Sequence, residues 1–226
     1  MSNPKKVPDR WKSYLLGGAE YTEVDEFPII DVATISEKVP QNIVPFDKIE
    51  TIHKDDRKKY FVCFYCQDSA FECVWKNPKK YINVFLDYAG IIGFDFSVHY
   101  DMPTWQQKYQ MAINLVLTYF YGRLEWIKVI PNIRYGLAEY ADEFLKAFPK
   151  RTLISIGTYG FIKTKEEQKP WIAFLEKVIS VLNPKGIIVY GPHPNKIFHQ
   201  FENRTKFYYY NSWTKSFFDK RKEKNK

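Results

Sequence analysis

The chain is poor in the residues that hold small disulfide-bonded or metal-dependent folds together. It has only 3 cysteines and 4 histidines among 226 residues, and the odd number of cysteines argues against a disulfide framework. Cys63 and Cys66 have the Cys-x-x-Cys spacing, but the apolar run around them is typical of a strand, on which residues three apart point to opposite faces. The sequence therefore predicts buried thiols and no metal site, and it identifies no cofactor.

Long apolar runs are also absent. No run approaches the roughly 20 apolar residues that a membrane span needs, so we expect no membrane partner. The polar and basic start of the chain is unlike a secretory signal, which makes the cytoplasm the expected compartment. Hydrophobic residues make up 45% of the chain and aromatic residues 18%, which is ample for a folded core and excludes a disordered chain.

The positive charge, formally +8, is concentrated at the two ends. Residues 1–12 and 203–226 are both strongly basic, whereas the body between them is close to neutral. We expect a basic arm at 1–12, a single domain at 13–215 and a basic tail at 216–226. Nucleic-acid binding would therefore belong to the C-terminus, and the alternative is a merely solubilising tail. The basic residues in question are Lys215, Lys220, Arg221 and Lys222.

Short apolar runs alternate with longer amphipathic segments. The strand candidates are residues 28–32, 43–46, 60–66, 90–96, 128–133, 152–156, 186–190 and 206–210. Helical patterns separate most of them, and the pattern at 164–182 opens with a Thr-x-x-Glu capping box. This alternation predicts an α/β fold with a parallel sheet. An irregular or partial TIM-like barrel is the first prediction. An open, helix-covered sheet is the alternative, because the chain is short for a full barrel.

In both architectures, ligands bind at the carboxyl ends of the parallel strands. Asp95 lies between aromatic residues, where a carboxylate needs a partner, and the planar guanidinium of Arg134 fits a carboxylate or a phosphate. We predict that these two residues form the catalytic or anion-binding centre. A structural salt bridge between two strand ends is the alternative.

Further residues at the same strand ends are predicted to bind the ligand: Ser97, Asn132, Thr158, Gly157 and Gly160. The last three belong to a small turn whose backbone N–H groups could face a phosphate, although it lacks the Walker A ending. His193 lies between two prolines, and this pattern indicates a solvated turn.

Several segments resemble hallmarks of the domain-of-unknown-function family 4417. They are residues 71–81, 95–97, 101–103, 129–132, 157–160 and 184–191. The resemblance runs in order from about residue 27 to residue 191. It departs from the family at Tyr135, where tryptophan is frequent, and His193 lies outside the matching motifs. The resemblance implies an origin in bacteria, their phages or mobile elements, and it implies no particular activity.

Three functions stay open at this point, and the sequence does not decide whether the protein is an enzyme. The first is an accessory protein that binds a small anionic or nucleotide-like ligand at the strand ends, with or without turnover. The second is a nucleic-acid-binding protein that uses the basic C-terminus. The third is a binder or inhibitor of a host factor.

Overall fold

The computed structural model describes residues 12–134, 139, 141–159, 162 and 164–216. The strands of this part are β1 (Asn42–Pro45), β2 (Tyr60–Cys63), β3 (Gly90–Ile92), β4 (Val129–Ile130), β5 (Leu153–Gly157), β6 (Gly186–Tyr190) and β7 (Phe207–Tyr210). The α-helices are α1 (Asp68–Lys76), α2 (Ile82–Leu86), α3 (Thr104–Gly122), α4 (Ala141–Leu145), α5 (Lys165–Leu182) and α6 (Asn195–Phe198). Short 3-10 helices occupy Ser13–Leu16, Val32–Thr34, Phe46–Thr51, Lys54–Lys59, Pro78–Tyr81 and His199–Phe201.

The strands form two sheets in sequential order. One contains β1-β2-β3-β4, the other contains β5-β6-β7, and every strand pairing between neighbours is parallel. Helices connect successive strands, as parallel pairing requires. The prediction of an α/β fold with parallel sheets is therefore confirmed. The predicted capping box of α5 is also present, since Thr164 and Glu167 each accept a hydrogen bond from the backbone of the other.

One of the eight strand predictions is wrong. In the segment 28–32, Pro28 makes a single antiparallel bridge to Tyr21, and the chain then enters a 3-10 helix. The cause is Asp31, whose carboxylate accepts a hydrogen bond from the backbone N–H of Ala33 at 2.9 Å. A capping side chain of this kind favours a turn over an extended strand.

The two sheets meet at a split between β4 and β5. At the amino end of β4, Ile35 pairs with Val129 and takes the place that a neighbouring strand would occupy. Beyond the carboxyl end of β4, Asn132 pairs with Ser155 of β5 instead. The carboxyl ends of the two sheets are thereby joined, whereas the amino ends are held apart.

The combined sheet is strongly curled. The ring of Tyr65, just after β2, stacks on the ring of Tyr190 in β6 with centroids 5.0 Å apart. Strands lie about 4.8 Å from their neighbours, so a flat sheet in this order would separate β2 from β6 by roughly 19 Å. Nevertheless, β1 and β7 do not pair with each other in the described residues. No closed barrel is present there, and the open, helix-covered sheet fits.

Candidate functional site at the strand ends

Asp95 and Arg134 form a buried ion pair beyond the carboxyl ends of β3 and β4. Arg134 Nη1 donates to Asp95 Oδ2 at 2.9 Å, and each side chain is only 10% exposed. Asn132 Nδ2 donates to the other carboxylate oxygen, Asp95 Oδ1, at 2.7 Å and to the carbonyl oxygen of Phe94 at 3.1 Å. Both oxygens of the carboxylate are thus held by residues that follow β4.

The electrostatics of this pair are set by burial. Desolvation raises the pKa of Asp95 above its ordinary value, although the Arg134 cation and the hydrogen bond from Asn132 act in the opposite direction. The nearby carboxylate of Asp68 raises the pKa of Asp95 further. A buried carboxylate of this kind can accept a proton more readily than an exposed one, and it also fixes the orientation of the guanidinium beside it.

The hydrogen-bond network continues from Asn132 to the second sheet. The hydroxyl of Tyr65 donates to Asn132 Oδ1 at 2.9 Å and lies 2.6 Å from the hydroxyl oxygen of Ser155. Because Asn132 donates to Asp95 through its nitrogen, its amide oxygen must face Tyr65. The direction of the hydrogen bonds is therefore fixed from Tyr65 through Asn132 to Asp95.

Tyr65 and Ser155 were missed by the sequence reasoning. Tyr65 follows Phe61 and Cys63 at spacing two, and alternate residues on one strand point to the same face. Ser155 is a lone hydroxyl in the otherwise apolar strand β5, and it is fully buried. The spacing of Tyr65 and the lone hydroxyl of Ser155 are both visible in the sequence. They point to a site only once it is known which face of the strands points inward.

Ser97 is already engaged by another side chain. Its backbone N–H donates to Asp68 Oδ2 at 3.0 Å and its hydroxyl donates to Asp68 Oδ1 at 3.1 Å. Asp68 begins α1, directly after β2, so this contact ties the start of that helix to the connection after β3. Binding of a ligand by Ser97 stays a prediction and would require this hydroxyl to be shared.

Gly157 and Thr158 serve the packing of the strand ends. A Cβ atom at Gly157 would lie 2.7 Å from Cε1 of Tyr65, so glycine leaves the space that this ring fills. Thr158 is fully buried, and its hydroxyl lies 2.6 Å from the carbonyl oxygen of Pro192 and 3.3 Å from that of Tyr190. Direct contact of these two residues with a ligand stays a prediction, and Gly160 lies outside the described residues.

The basic C-terminus is described only in part. Lys215 is exposed, whereas Lys220, Arg221 and Lys222 lie outside the described residues. Before this segment, Lys206 Nζ lies 5.1 Å from the ring centroid of Tyr208. The C-terminal segment adjoins the strand-end cluster, because the backbone N–H of Trp213 donates to the hydroxyl of Tyr190 at 2.9 Å.

The described residues contain no group of three or more His, Cys, Asp or Glu side chains that could hold a metal ion. Cys63 is buried and Cys66 is partly buried, and neither forms a disulfide. Within the same part of the chain, no helix is long and apolar enough to cross a membrane.

A groove of about 1060 Å³ lies away from Asp95. Its lining includes Val32, Trp126, Lys128 and Pro149, near the amino end of β4. Neither this groove nor a second, smaller one beside Tyr14 is lined by the predicted site residues.

Comparison with known proteins gives a family and distant relatives. No solved structure matches the chain. The Gene 1 protein of Mycobacterium phage L5 is 23% identical over 128 residues, which are 57% of this chain and 56% of that protein. The Gene 1 protein of Mycobacterium phage D29 is 22% identical over 131 residues, covering 57% of this chain and 47% of that protein. The chain thus spans about half the length of these relatives. The model of the Domain of unknown function (DUF4417) matches residues 19–211, and the chain therefore belongs to this family.

Proposed function

We propose that the strand ends bind a small anionic ligand, with Arg134 as the cation that receives it and Asp95 as the carboxylate that holds the guanidinium in place. The observation that supports this most is the buried ion pair at the carboxyl edge of a parallel sheet, where ligands of α/β proteins bind. The five donors of a guanidinium allow it to contact a carboxylate and an anion together.

The surrounding network supports a pre-organised site. Asp95, Asn132 and Ser155 are all buried polar residues, and each has its hydrogen bonds satisfied by partners from other strands. Side chains held in this way do not need to be ordered when a ligand arrives, which lowers the entropic cost of binding. The proposal places the protein in the cytoplasm of a bacterial host, and it covers binding with or without turnover.

The test is binding of pyrophosphate to the full chain by calorimetry. We expect binding by the unmodified protein and a loss of at least about tenfold in affinity for Arg134→Gln, since a charge-assisted pair contributes about 1.5–3 kcal/mol. Arg204→Gln is the matched control, because Arg204 also pairs with a carboxylate, that of Glu176, but in an exposed position. Absence of binding, or equal losses in the two variants, would rule the proposal out.

Nucleic-acid binding through the C-terminus is the second candidate. It is favoured by exposed Lys215 close to the aromatic strand β7, because cations and rings together bind single strands. The full chain with Lys220, Arg221 and Lys222 replaced by glutamine should bind DNA more weakly, with a smaller salt dependence. If the DNA affinity of this variant and its dependence on salt are unchanged, nucleic-acid binding through the C-terminus is excluded. Binding of a host factor stays a third prediction, open to pull-down from host lysate.

A further inference from the structure

The connection between β3 and α3 is fixed at three points. Asn114, buried in α3, accepts from the backbone N–H of Phe96 at 2.7 Å and donates to its carbonyl oxygen at 3.1 Å. Gln107, also buried in α3, donates to the carbonyl oxygen of Met102 at 2.8 Å. Together with the contact between Asp68 and Ser97, these bonds hold the backbone of the connection from both ends.

This fixed connection leads directly to an exposed aromatic side chain. Trp105 is the second residue of α3, and it is 69% exposed. A single exposed aromatic residue is ordinary on a protein surface. Here, however, the ring follows a hydrogen-bonded connection that contains the ion-paired Asp95.

A second ring is presented in the same manner after β5. Tyr159 is 70% exposed, and it directly follows the fully buried Thr158. The backbone N–H of Thr158 donates to the carbonyl oxygen of Tyr190 at 3.1 Å, and its side chain bonds to the turn after β6. The backbone that carries Tyr159 is therefore fixed although its ring lies in solvent.

Connections that follow the strands of a parallel sheet emerge at one edge of that sheet, which is also the edge of Arg134. The edge therefore combines a positioned cation with flat rings on two different connections. Phosphate groups bind to arginine, and nucleobases stack on exposed tyrosine and tryptophan rings. On the basis of the proposed anion site, we infer that its ligand carries nucleobases as well as phosphate, and that Trp105 and Tyr159 are the stacking residues.

The experiment measures how tightly the full chain binds pyrophosphate, adenosine and uridine triphosphates, and a short labelled oligothymidylate. The variants are Trp105→Ala and Tyr159→Ser. Trp126→Ala is the matched control, because Trp126 is 76% exposed but lies at the amino end of β4. All three side chains are exposed, so circular dichroism should show an unchanged fold.

We expect the nucleotide probes to bind more tightly than pyrophosphate. Each of the two variants should weaken nucleotide binding by about 5- to 150-fold, the range of one stacked base, and leave pyrophosphate binding unchanged. Trp126→Ala should change neither nucleotide binding nor pyrophosphate binding. A higher affinity for the oligothymidylate than for the triphosphates identifies a single strand as the source of the bases, and the reverse order identifies a free nucleotide.

Two results would overturn the inference in different ways. If pyrophosphate binds through Arg134 but nucleotides bind no more tightly, or if Trp126→Ala causes the same loss, the rings have no role and the anion site stands alone. If no probe binds, the anion site and the inference fall together.

Discussion

Replacing Tyr65 with phenylalanine removes one hydroxyl group and leaves the stacked ring in place. This hydroxyl donates to Asn132 Oδ1 at 2.9 Å and lies 2.6 Å from the Ser155 oxygen. Ser155 retains a neighbour in the carbonyl oxygen of Ile188, at 3.3 Å. In the described network, no other donor replaces the Tyr65 hydroxyl at Asn132 Oδ1, and Asn132 is only 5% exposed. The variant therefore leaves a buried acceptor without its donor.

The expected cost follows from that unpaired acceptor. Leaving a buried polar group unsatisfied costs about 1–3 kcal/mol, so we expect the free energy of unfolding to fall by about 2 kcal/mol. For a chain of this size, that corresponds to a fall in Tm of roughly 4–8 °C. Burial also raises the pKa of Tyr65 well above its ordinary value, so the hydroxyl stays protonated and the expected loss holds throughout the neutral range.

Urea unfolding followed by circular dichroism measures the loss directly. Tyr119→Phe is the matched control, since its hydroxyl also donates to a carbonyl oxygen, that of Gly17, but in an exposed position. We expect the free energy of unfolding of this control to lie within about 0.5 kcal/mol of that of the unmodified protein. If Tyr65→Phe is no more destabilising than the control, the network does not hold the two sheets together, and the reasoning is refuted.

Two further predictions concern the same strand ends. Arg134→Gln leaves the buried Asp95 carboxylate uncompensated and should cost about 3–5 kcal/mol at neutral pH. Burial raises the pKa of Asp95 and the Arg134 cation lowers it, so we expect this pKa to be higher in the variant. Protonation then neutralises the buried carboxyl as the pH of the unfolding series is lowered to about 4, and the loss should shrink. A pH-independent loss would contradict this. Gly157→Ala places a Cβ atom 2.7 Å from the ring of Tyr65, which is also stacked on the ring of Tyr190. We expect it to cost about 1–3 kcal/mol by thermal unfolding, and an unchanged Tm would show that the ring can move.

The sequence predicted the strands and helices well where hydrophobic periodicity was strong. Seven of the eight predicted strands overlap strands of the structure, and the failure at 28–32 arises from one capping aspartate. The pairing of Asp95 with Arg134 was also predictable, because a carboxylate among aromatic residues requires a partner. The curl of the sheet was not, since it depends on contacts between residues far apart in the chain. Without the curl, Tyr65 could not be placed beside Ser155.

The split between β4 and β5 has a consequence for how the chain can be shortened. Ile35 and Ser36 cover the edge of β4 at its amino end, where Ser36 donates to the carbonyl oxygen of Val129 at 2.8 Å. These residues precede β1 in the chain, so a truncation that begins at β1 keeps all seven strands of the described residues and still leaves backbone groups of β4 without a partner. An uncovered strand edge is a template for pairing with another chain. The described residues before β1, 12–41, contribute no strand of their own, yet we expect their removal to increase self-association of the protein.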